Sequence, residues 1–221
     1  MQNAISRNPD WDSIDTVLLD LDGTLLDQAF DNHIWRDLVP QRFAVAHGLE
    51  LNAAYAEVAR RFAERSHTLD WYCIDYWTRD LGVDIGALHR EVRSHCGWLP
   101  GARDFLVRMR AAGKRTVLLT NSHPIALQVK NEETGVLALL DAAATSHEFG
   151  APKEHAQFWE AAIARFGFDP ARSLFADDNS KMLDAAHAAG IRWVYGVCHW
   201  DTRGSRREHA AHASVDSVAD L

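Results

Sequence analysis

The sequence is poor in cysteine and has no long hydrophobic run. Its three cysteines, Cys73, Cys96 and Cys198, show no CxxC spacing and no metal-like cluster around them. Their odd number and wide separation favour free thiols over a disulfide framework. No apolar stretch approaches the roughly 18 residues of a membrane-spanning helix, and the N-terminal stretch MQNAISRNPDWDS lacks the apolar core of a secretory signal. We therefore expect a cytoplasmic protein that does not bind a membrane.

Positive charge is scarce as well. The chain carries 23 Lys and Arg against 31 Asp and Glu, a formal net charge of -8, and its basic residues cluster only in the short run RGSRRE near the C-terminus. Nucleic-acid grooves and polybasic membrane patches depend on clustered Lys and Arg, so we expect no nucleic-acid partner. An anionic substrate would need a local cation instead. Nothing in the sequence indicates an oligomeric state.

Apolar content is ordinary for a globular protein, at 47% of the 221 residues, and this length allows one core plus a modest inserted domain. Short runs that are apolar throughout alternate with helical patterns. Such runs are typical of strands buried on both faces of a parallel sheet, so the fold class is predicted to be α/β with a Rossmann-like parallel core. The predicted strands are Val17–Leu19, Thr116–Leu119, Ala142–Thr145, Leu174–Ala176 and Trp193–Val197.

Between the first two strands, residues 28–98 show helical patterns and no convincing strand. In NAAYAEVARRFAERSH, for example, Ala54, Val58 and Phe62 fall at i, i+4 and i+8. We therefore predict that residues 28–98 form an all-helical cap over the carboxyl edge of the sheet, and that residues 1–27 and 99–221 form the core.

Polar residues follow four of the predicted strands. In an open parallel sheet ligands bind beyond the carboxyl ends of the strands, so these residues are candidates for one site. Any one group is explained equally well by turns and helix caps, but all four in this order are not. The groups are Asp20-Leu21-Asp22-Gly23-Thr24, Thr120-Asn121-Ser122, Lys153 after a loop, and Asp177-Asp178.

The stretches DLDGT, LLTNS, PK and FADDN resemble the four motifs of the haloacid dehalogenase superfamily. The resemblance extends over nearly the whole chain. The segments AFDNHIWRDLVP, HTLDWYCIDYW, LLTNSHPIALQVKNEETGV and FGAPKEHAQFW resemble the bacterial purine 5′-nucleotidases of that superfamily, which hydrolyse GMP and IMP. The resemblance implies a phosphomonoester hydrolase with a helical cap inserted between the first and second motifs.

A phosphate ester repels nucleophiles, and clustered carboxylates increase that repulsion unless a hard cation is bound. Mg²⁺, with Mn²⁺ or Co²⁺ as alternatives, is the expected cofactor. Asp20 and Asp178 are the predicted metal carboxylates. The resemblance implies the backbone carbonyl of Asp22 as a third ligand, and Asp177 is either a ligand through water or an acceptor behind the ligands.

Asp20 is the predicted nucleophile, which would form an aspartyl phosphate. Asp22 is the predicted general acid and base, since a neighbouring like charge would raise its pKa and keep it partly protonated. Thr120, with the backbone amide of Asn121, is expected to hold phosphoryl oxygens. Lys153 would neutralise charge on the nucleophile and the phosphate, although a surface lysine is the alternative.

Substrate specificity is assigned to the cap. HTLDWYCIDYW concentrates aromatic rings, and Trp71, Tyr72 or Trp77 could stack on a purine. The same residues fall at helical spacings that also suit a packed helix pair. His123 could contact substrate or lie at the surface.

The preferred function is therefore hydrolysis of a small-molecule phosphomonoester, with GMP and IMP as substrates and nucleosides as products. The alternative is a phosphatase for a small metabolite such as phosphoglycolate or a sugar phosphate. A metal-free dehalogenase is disfavoured because Asp22 is suited to a leaving oxygen. A non-catalytic relative is disfavoured because Asp20, Asp22 and Lys153 are all present.

Overall fold

A six-stranded, all-parallel sheet forms the centre of the computed structural model, which describes residues 8–221. The strand order is β3-β2-β1-β4-β5-β6, which places β1 next to both β2 and β4. The five predicted strands are confirmed, and a sixth, at the edge of the sheet, was not predicted. The strands are β1 Thr16–Leu19, β2 Arg115–Thr120, β3 Ala142–Thr145, β4 Ser173–Asp177, β5 Trp193–Val197 and β6 Ala213–Val215.

Both faces of the sheet are covered. Successive residues of β1 point to opposite faces, so Val17 and Leu19 pack in one hydrophobic cluster while Leu18 packs in another. All four β1 residues are buried. This two-sided burial explains why the strand is apolar throughout.

Within residues 99–221, five α-helices cover the sheet. Asn179 caps the last of them, and its side chain accepts a hydrogen bond from the Lys181 amide at 3.1 Å. The helices are α6 Ala102–Ala111, α7 Pro124–Thr134, α8 Ser146–Phe149, α9 Ala156–Phe166 and α10 Ser180–Ala188.

The segment between β1 and β2 contributes five further α-helices. The helices are α1 Ala29–Asn32, α2 Val39–His47, α3 Leu51–Arg65, α4 Ile74–Leu81 and α5 Ile85–Glu91. A π-helical turn, His33–Leu38, joins α1 and α2 into one continuous helix. A bridge between Leu26 and Trp98 closes the base of this segment. Of the predicted core segment 1–27, residues 1–7 lie outside the described residues. No helix within residues 8–221 is long and apolar enough to cross a bilayer.

The chain beyond β5 returns to the carboxyl edge of the sheet. His209 is buried, donates a hydrogen bond from Nε2 to the Val197 carbonyl at 3.1 Å, and lies against Gly196. A Cβ atom at Gly196 would lie 2.3 Å from the His209 ring, so glycine is required for this approach. This contact anchors the chain close to Arg207, which pairs with Asp178 directly after β4.

Candidate active site

All the predicted site residues line one cavity of about 740 Å³ at the carboxyl ends of the strands. The cavity reaches from the ends of β1, β2 and β4 up to the helices of the inserted segment. A single ligand can therefore contact both regions. The predicted residues on its wall are Asp20, Asp22, Trp71, Tyr72, Trp77, Thr120, Asn121, His123, Lys153, Asp177 and Asp178.

Three carboxylates meet at its floor. Asp20, Asp177 and Asp178 are buried, and each offers an oxygen within 4.8 Å of the others. Burial raises the pKa of Asp20 well above its ordinary value, and burial together with the charge of Asp177 raises the pKa of Asp178 to about 7. Clustering like charges in a buried site disfavours their ionised forms, and a divalent cation between them would reverse that effect.

Close backbone approach builds this cluster. Gly23 has a φ of +85°, and a Cβ there would lie 2.8 Å from Cγ of Asp178. Only glycine fits this backbone conformation and this gap. On its other side Asp178 pairs with Arg207, which also donates to the Asp178 carbonyl at 2.7 Å. Arg207 belongs to the RGSRRE run, for which the sequence suggested no role.

Lys153 is buried, so the alternative of a surface lysine is wrong. Its ammonium group donates to Asp20 and, at 2.7 Å, to Oδ2 of Asp177. Burial alone would lower the pKa of Lys153, but these two carboxylates outweigh it and raise the pKa. Oδ1 of Asp177 accepts from the Asn179 amide at 2.8 Å. Both oxygens of Asp177 thus accept hydrogen bonds from the protein. This suits a residue that orients its neighbours and does not contact the metal directly.

Thr120 and Asn121 extend from the end of β2. The Thr120 hydroxyl oxygen accepts from the Ser122 amide at 2.9 Å, which orients the hydroxyl at the cavity floor. The side-chain oxygen of Asn121 accepts from the Lys153 amide at 2.9 Å. Asn121 therefore positions the loop that carries Lys153.

A second buried lysine was missed by the sequence analysis. Lys130, on α7, lies 2.7 Å from a carboxylate oxygen of Asp22 and 2.7 Å from one of Asp31 on α1. Burial and the charge of Asp31 raise the pKa of Asp22 to about 6, against the attraction of Lys130. The pKa of Asp31 is lowered to about 2, because Lys130 and His89 outweigh its burial. A carboxyl that titrates near neutrality is suited to proton transfer.

The aromatic residues of the inserted segment differ in exposure. Trp77 is 1% exposed, packs edge-on against Phe62 at 4.7 Å, and donates from Nε1 to the Trp71 carbonyl at 3.0 Å. Trp71 is only partly buried, and Tyr72 donates to Glu154 at 3.1 Å. Further residues that line the cavity were not predicted from the sequence. They are Trp35, Arg36, Tyr55, Phe62 and Trp200.

His123 caps α7 and is buried rather than at the surface. Its Nδ1 accepts from the Ile125 amide at 3.3 Å, and its ring meets that of His147 with centroids 4.6 Å apart. Burial lowers the pKa of His123.

The floor of the cavity fits a hard divalent cation. Asp20 and Asp178 offer carboxylate oxygens, Asp22 lines the same cavity, and oxygen ligands are those that Mg²⁺ prefers. Burial raises the pKa of Asp20 and of Asp178, and a bound cation would favour their ionised forms again.

Known proteins with this architecture include several hydrolases. The chain is 41% identical over 211 residues to the GMP/IMP nucleotidase YrfG of Escherichia coli (strain K12), covering 96% of this chain and 95% of that protein. A phosphatase structure from Thermococcus onnurineus has a TM-score of 0.80 at 18% identity, over 94% of this chain and 96% of that chain. An L-2-haloacid dehalogenase from Xanthobacter autotrophicus has a TM-score of 0.61 at 17% identity, over 94% and 96%.

The dehalogenase shares the fold alone, so the fold does not select between attack on carbon and attack on phosphorus. The family model of haloacid dehalogenase-like hydrolases matches residues 14–190. This chain belongs to the haloacid dehalogenase-like hydrolases.

Proposed function

We propose that this hydrolase is a Mg²⁺-dependent 5′-nucleotidase that releases phosphate from GMP and IMP. The observation that carries the proposal is one cavity that joins the carboxylate floor at Asp20 to the aromatic wall at Trp71. The 41% identity to the E. coli GMP/IMP nucleotidase supports the same substrate class. Hydrolases of this family generally use Mg²⁺, which fits the oxygen donors described above.

In the proposed reaction Asp20 attacks phosphorus, the bond from phosphorus to the nucleoside 5′ oxygen breaks, and an aspartyl phosphate forms on Asp20. Asp22 gives its proton to the leaving oxygen. It then removes a proton from the water that attacks the aspartyl phosphate, which releases inorganic phosphate and restores Asp20. Bound Mg²⁺ would neutralise the charge of the carboxylates and the phosphoryl group.

The other residues of the floor bind and orient. Lys153 holds Asp20 in place and contributes positive charge to the phosphoryl site. The Thr120 hydroxyl and the Asn121 amide are the proposed phosphoryl donors, at the end of β2. Asp177 positions Lys153, and Asp178 with Asp20 is a proposed metal ligand.

The inserted segment, residues 28–98, is the proposed specificity cap. Trp71 is the ring we assign to stacking on the base, because it lines the cavity and is partly exposed, whereas Trp77 is committed to packing. Arg36 also lines the cavity. Its guanidinium donors suit the 6-oxo group that guanine and hypoxanthine share and that adenine lacks. The three free cysteines favour a reducing, cytoplasmic setting.

The test is a substrate panel measured with saturating Mg²⁺. We expect kcat/KM to be highest for GMP and IMP, lower for AMP, and lowest for phosphoglycolate and glucose 6-phosphate. Arg36→Met should narrow the preference for GMP over AMP while leaving p-nitrophenyl phosphate hydrolysis nearly unchanged. A clear preference for phosphoglycolate or a sugar phosphate would replace the nucleotide assignment with the small-metabolite alternative.

A further inference from the structure

A second group of metal-ligating side chains lies beside the active site. Cys73, His123 and His147 each offer one ligand atom, and these three atoms lie within 4.8 Å of one another. Cys73 precedes α4 of the inserted segment, His123 begins α7, and His147 lies in α8. No metal-like cluster is visible around the cysteines in the sequence, because these three residues come from distant segments and show no spacing motif.

His147 has two buried ring nitrogens, and neither finds a hydrogen-bond partner among residues 8–221. A buried polar group without a partner is costly. Burial, with a smaller contribution from His123, lowers the pKa of His147 to about 4. A metal ion would satisfy a buried ring nitrogen that has no other partner, and imidazole is the commonest protein ligand of transition metals.

His123 also has a ring nitrogen that a metal ion could bind. Its bond from the Ile125 amide to Nδ1 is long, at 3.3 Å, and a metal ion could replace it. Nε2–H would then face the Asp75 carboxylate, whose Oδ2 lies 3.8 Å away. A metal-bound histidine typically donates its other ring N–H to a carboxylate, and a small shift of the Asp75 side chain would bring it from 3.8 Å to hydrogen-bond distance.

Cys73 completes the set. Its sulfur accepts from the Tyr76 amide at 3.4 Å at the start of α4. This contact fixes the position of the sulfur, which would bind a metal ion as the thiolate.

We propose that Cys73, His123 and His147 bind a zinc-like transition-metal ion, which ties the inserted helical segment to α7 and α8. Sulfur and nitrogen donors are those that Zn²⁺ prefers, and three protein ligands would leave the fourth tetrahedral position to water. With metal–ligand distances of about 2.0–2.3 Å, tetrahedral ligand atoms lie roughly 3.5 Å apart. Since the three atoms lie within 4.8 Å of one another, no pair would have to approach by more than about 1.3 Å. Thiolate and imidazole disfavour Mg²⁺, so the two sites would take different metals.

The experiment titrates the reduced, full-length chain with Co²⁺ in excess Mg²⁺, which fills the carboxylate site. We expect a thiolate-to-cobalt charge-transfer band that saturates at one Co²⁺ per chain and is displaced by Zn²⁺. Cys73→Ser should remove the band although Cys96 and Cys198 remain. His147→Asn should raise the Co²⁺ dissociation constant more than about tenfold, because even residues behind the ligands are worth that much. The matched control His155→Asn changes an exposed histidine outside the cluster and should leave the titration unchanged.

A measurement on the unmodified chain covers the case in which a variant misfolds. Zn²⁺ should slow the alkylation of Cys73 by iodoacetamide, read by peptide mapping, and Mg²⁺ should not. Absence of the charge-transfer band in the unmodified chain, its persistence in folded Cys73→Ser, or alkylation of Cys73 that Zn²⁺ does not slow would each overturn the proposal. All these measurements are made without substrate, so their results do not depend on whether the protein is a nucleotidase.

Discussion

Two buried lysines organise the charges of the active centre. Lys153 bridges Asp20 and Asp177, while Lys130 lies between Asp22 and Asp31. Each lysine lies between two carboxylates that would otherwise repel one another, at the ends of β1 and β4 for Lys153 and between the β1 end and α1 for Lys130. In our account Lys153 positions the nucleophile, and Lys130 positions the carboxyl that transfers the proton.

Lys130→Met should destabilise the fold and impair hydrolysis together. Removing one partner of a buried ion pair leaves uncompensated charge, so we expect the free energy of unfolding to fall by about 3–5 kcal/mol. Adding Asp31→Asn should recover part of that loss. Urea unfolding, with the exposed Lys181→Met as control, measures the effect. Stability equal to that of the unmodified chain would mean that the ion pairs with Lys130 contribute little.

The sequence could not reveal Lys130 as it revealed Lys153. Lys153 follows a strand in a recognisable motif, whereas Lys130 lies in the helical stretch LQVKNEET and there resembles a solvated lysine. Its role depends on Asp31, which is 99 residues away along the chain. Such partners become visible only when the tertiary structure is known.

At the scale of single elements, the strands were the most predictable part. Buried strands of a parallel sheet are apolar throughout, so β1 to β5 could be located from composition. The edge strand β6 escaped because it spans three residues and exposes Ser214. The helical nature of residues 28–98 followed from periodicity, but the π-helical turn His33–Leu38 left no recognisable pattern.

Within the inserted segment, Trp71 and Trp77 should behave differently on truncation. Stacking of a base on an aromatic ring is worth about 1–3 kcal/mol, so Trp71→Ala should lower kcat/KM for GMP by roughly five- to a hundredfold. Hydrolysis of p-nitrophenyl phosphate, which has no purine, should change far less.

Trp77→Ala is the matched comparison, since Trp77 is buried against Phe62 and Tyr76. It should cost about 3–5 kcal/mol of stability and reduce activity on both substrates alike. Steady-state kinetics with both substrates, together with thermal unfolding, separates the two outcomes. If Trp71→Ala lowered kcat/KM for GMP and for p-nitrophenyl phosphate equally, Trp71 would be a packing residue like Trp77 and would not stack on the base.

At the scale of the whole molecule, strand order decides which residues meet. Because β1 lies between β2 and β4, the Asp residues after β1 and β4 and the Thr-Asn pair after β2 converge at one edge. The strand ends in the sequence were sufficient to predict this convergence. The C-terminal return that brings Arg207 to Asp178 was not predictable, because its residues lie in a polar stretch without a strand pattern.

Removing the divalent cation should abolish hydrolysis. Without it, Asp20, Asp178 and the substrate phosphate would repel one another. We expect EDTA to eliminate GMP hydrolysis and added Mg²⁺ to restore it. Zn²⁺ bound at Cys73, His123 and His147 should not restore hydrolysis in place of Mg²⁺. Full GMP hydrolysis after exhaustive chelation would contradict the proposed dependence on a divalent cation.

The most direct test of the account is to trap the phosphoenzyme. Acid quenching during turnover of GMP labelled with ³²P should leave the label on Asp20, located by mass spectrometry of the peptide that contains it. Asp22→Asn should still accept the phosphoryl group but accumulate more label per chain, since hydrolysis lacks its base, and Asp20→Asn should carry none. Label on another residue, or rapid GMP turnover in Asp20→Asn, would contradict the account.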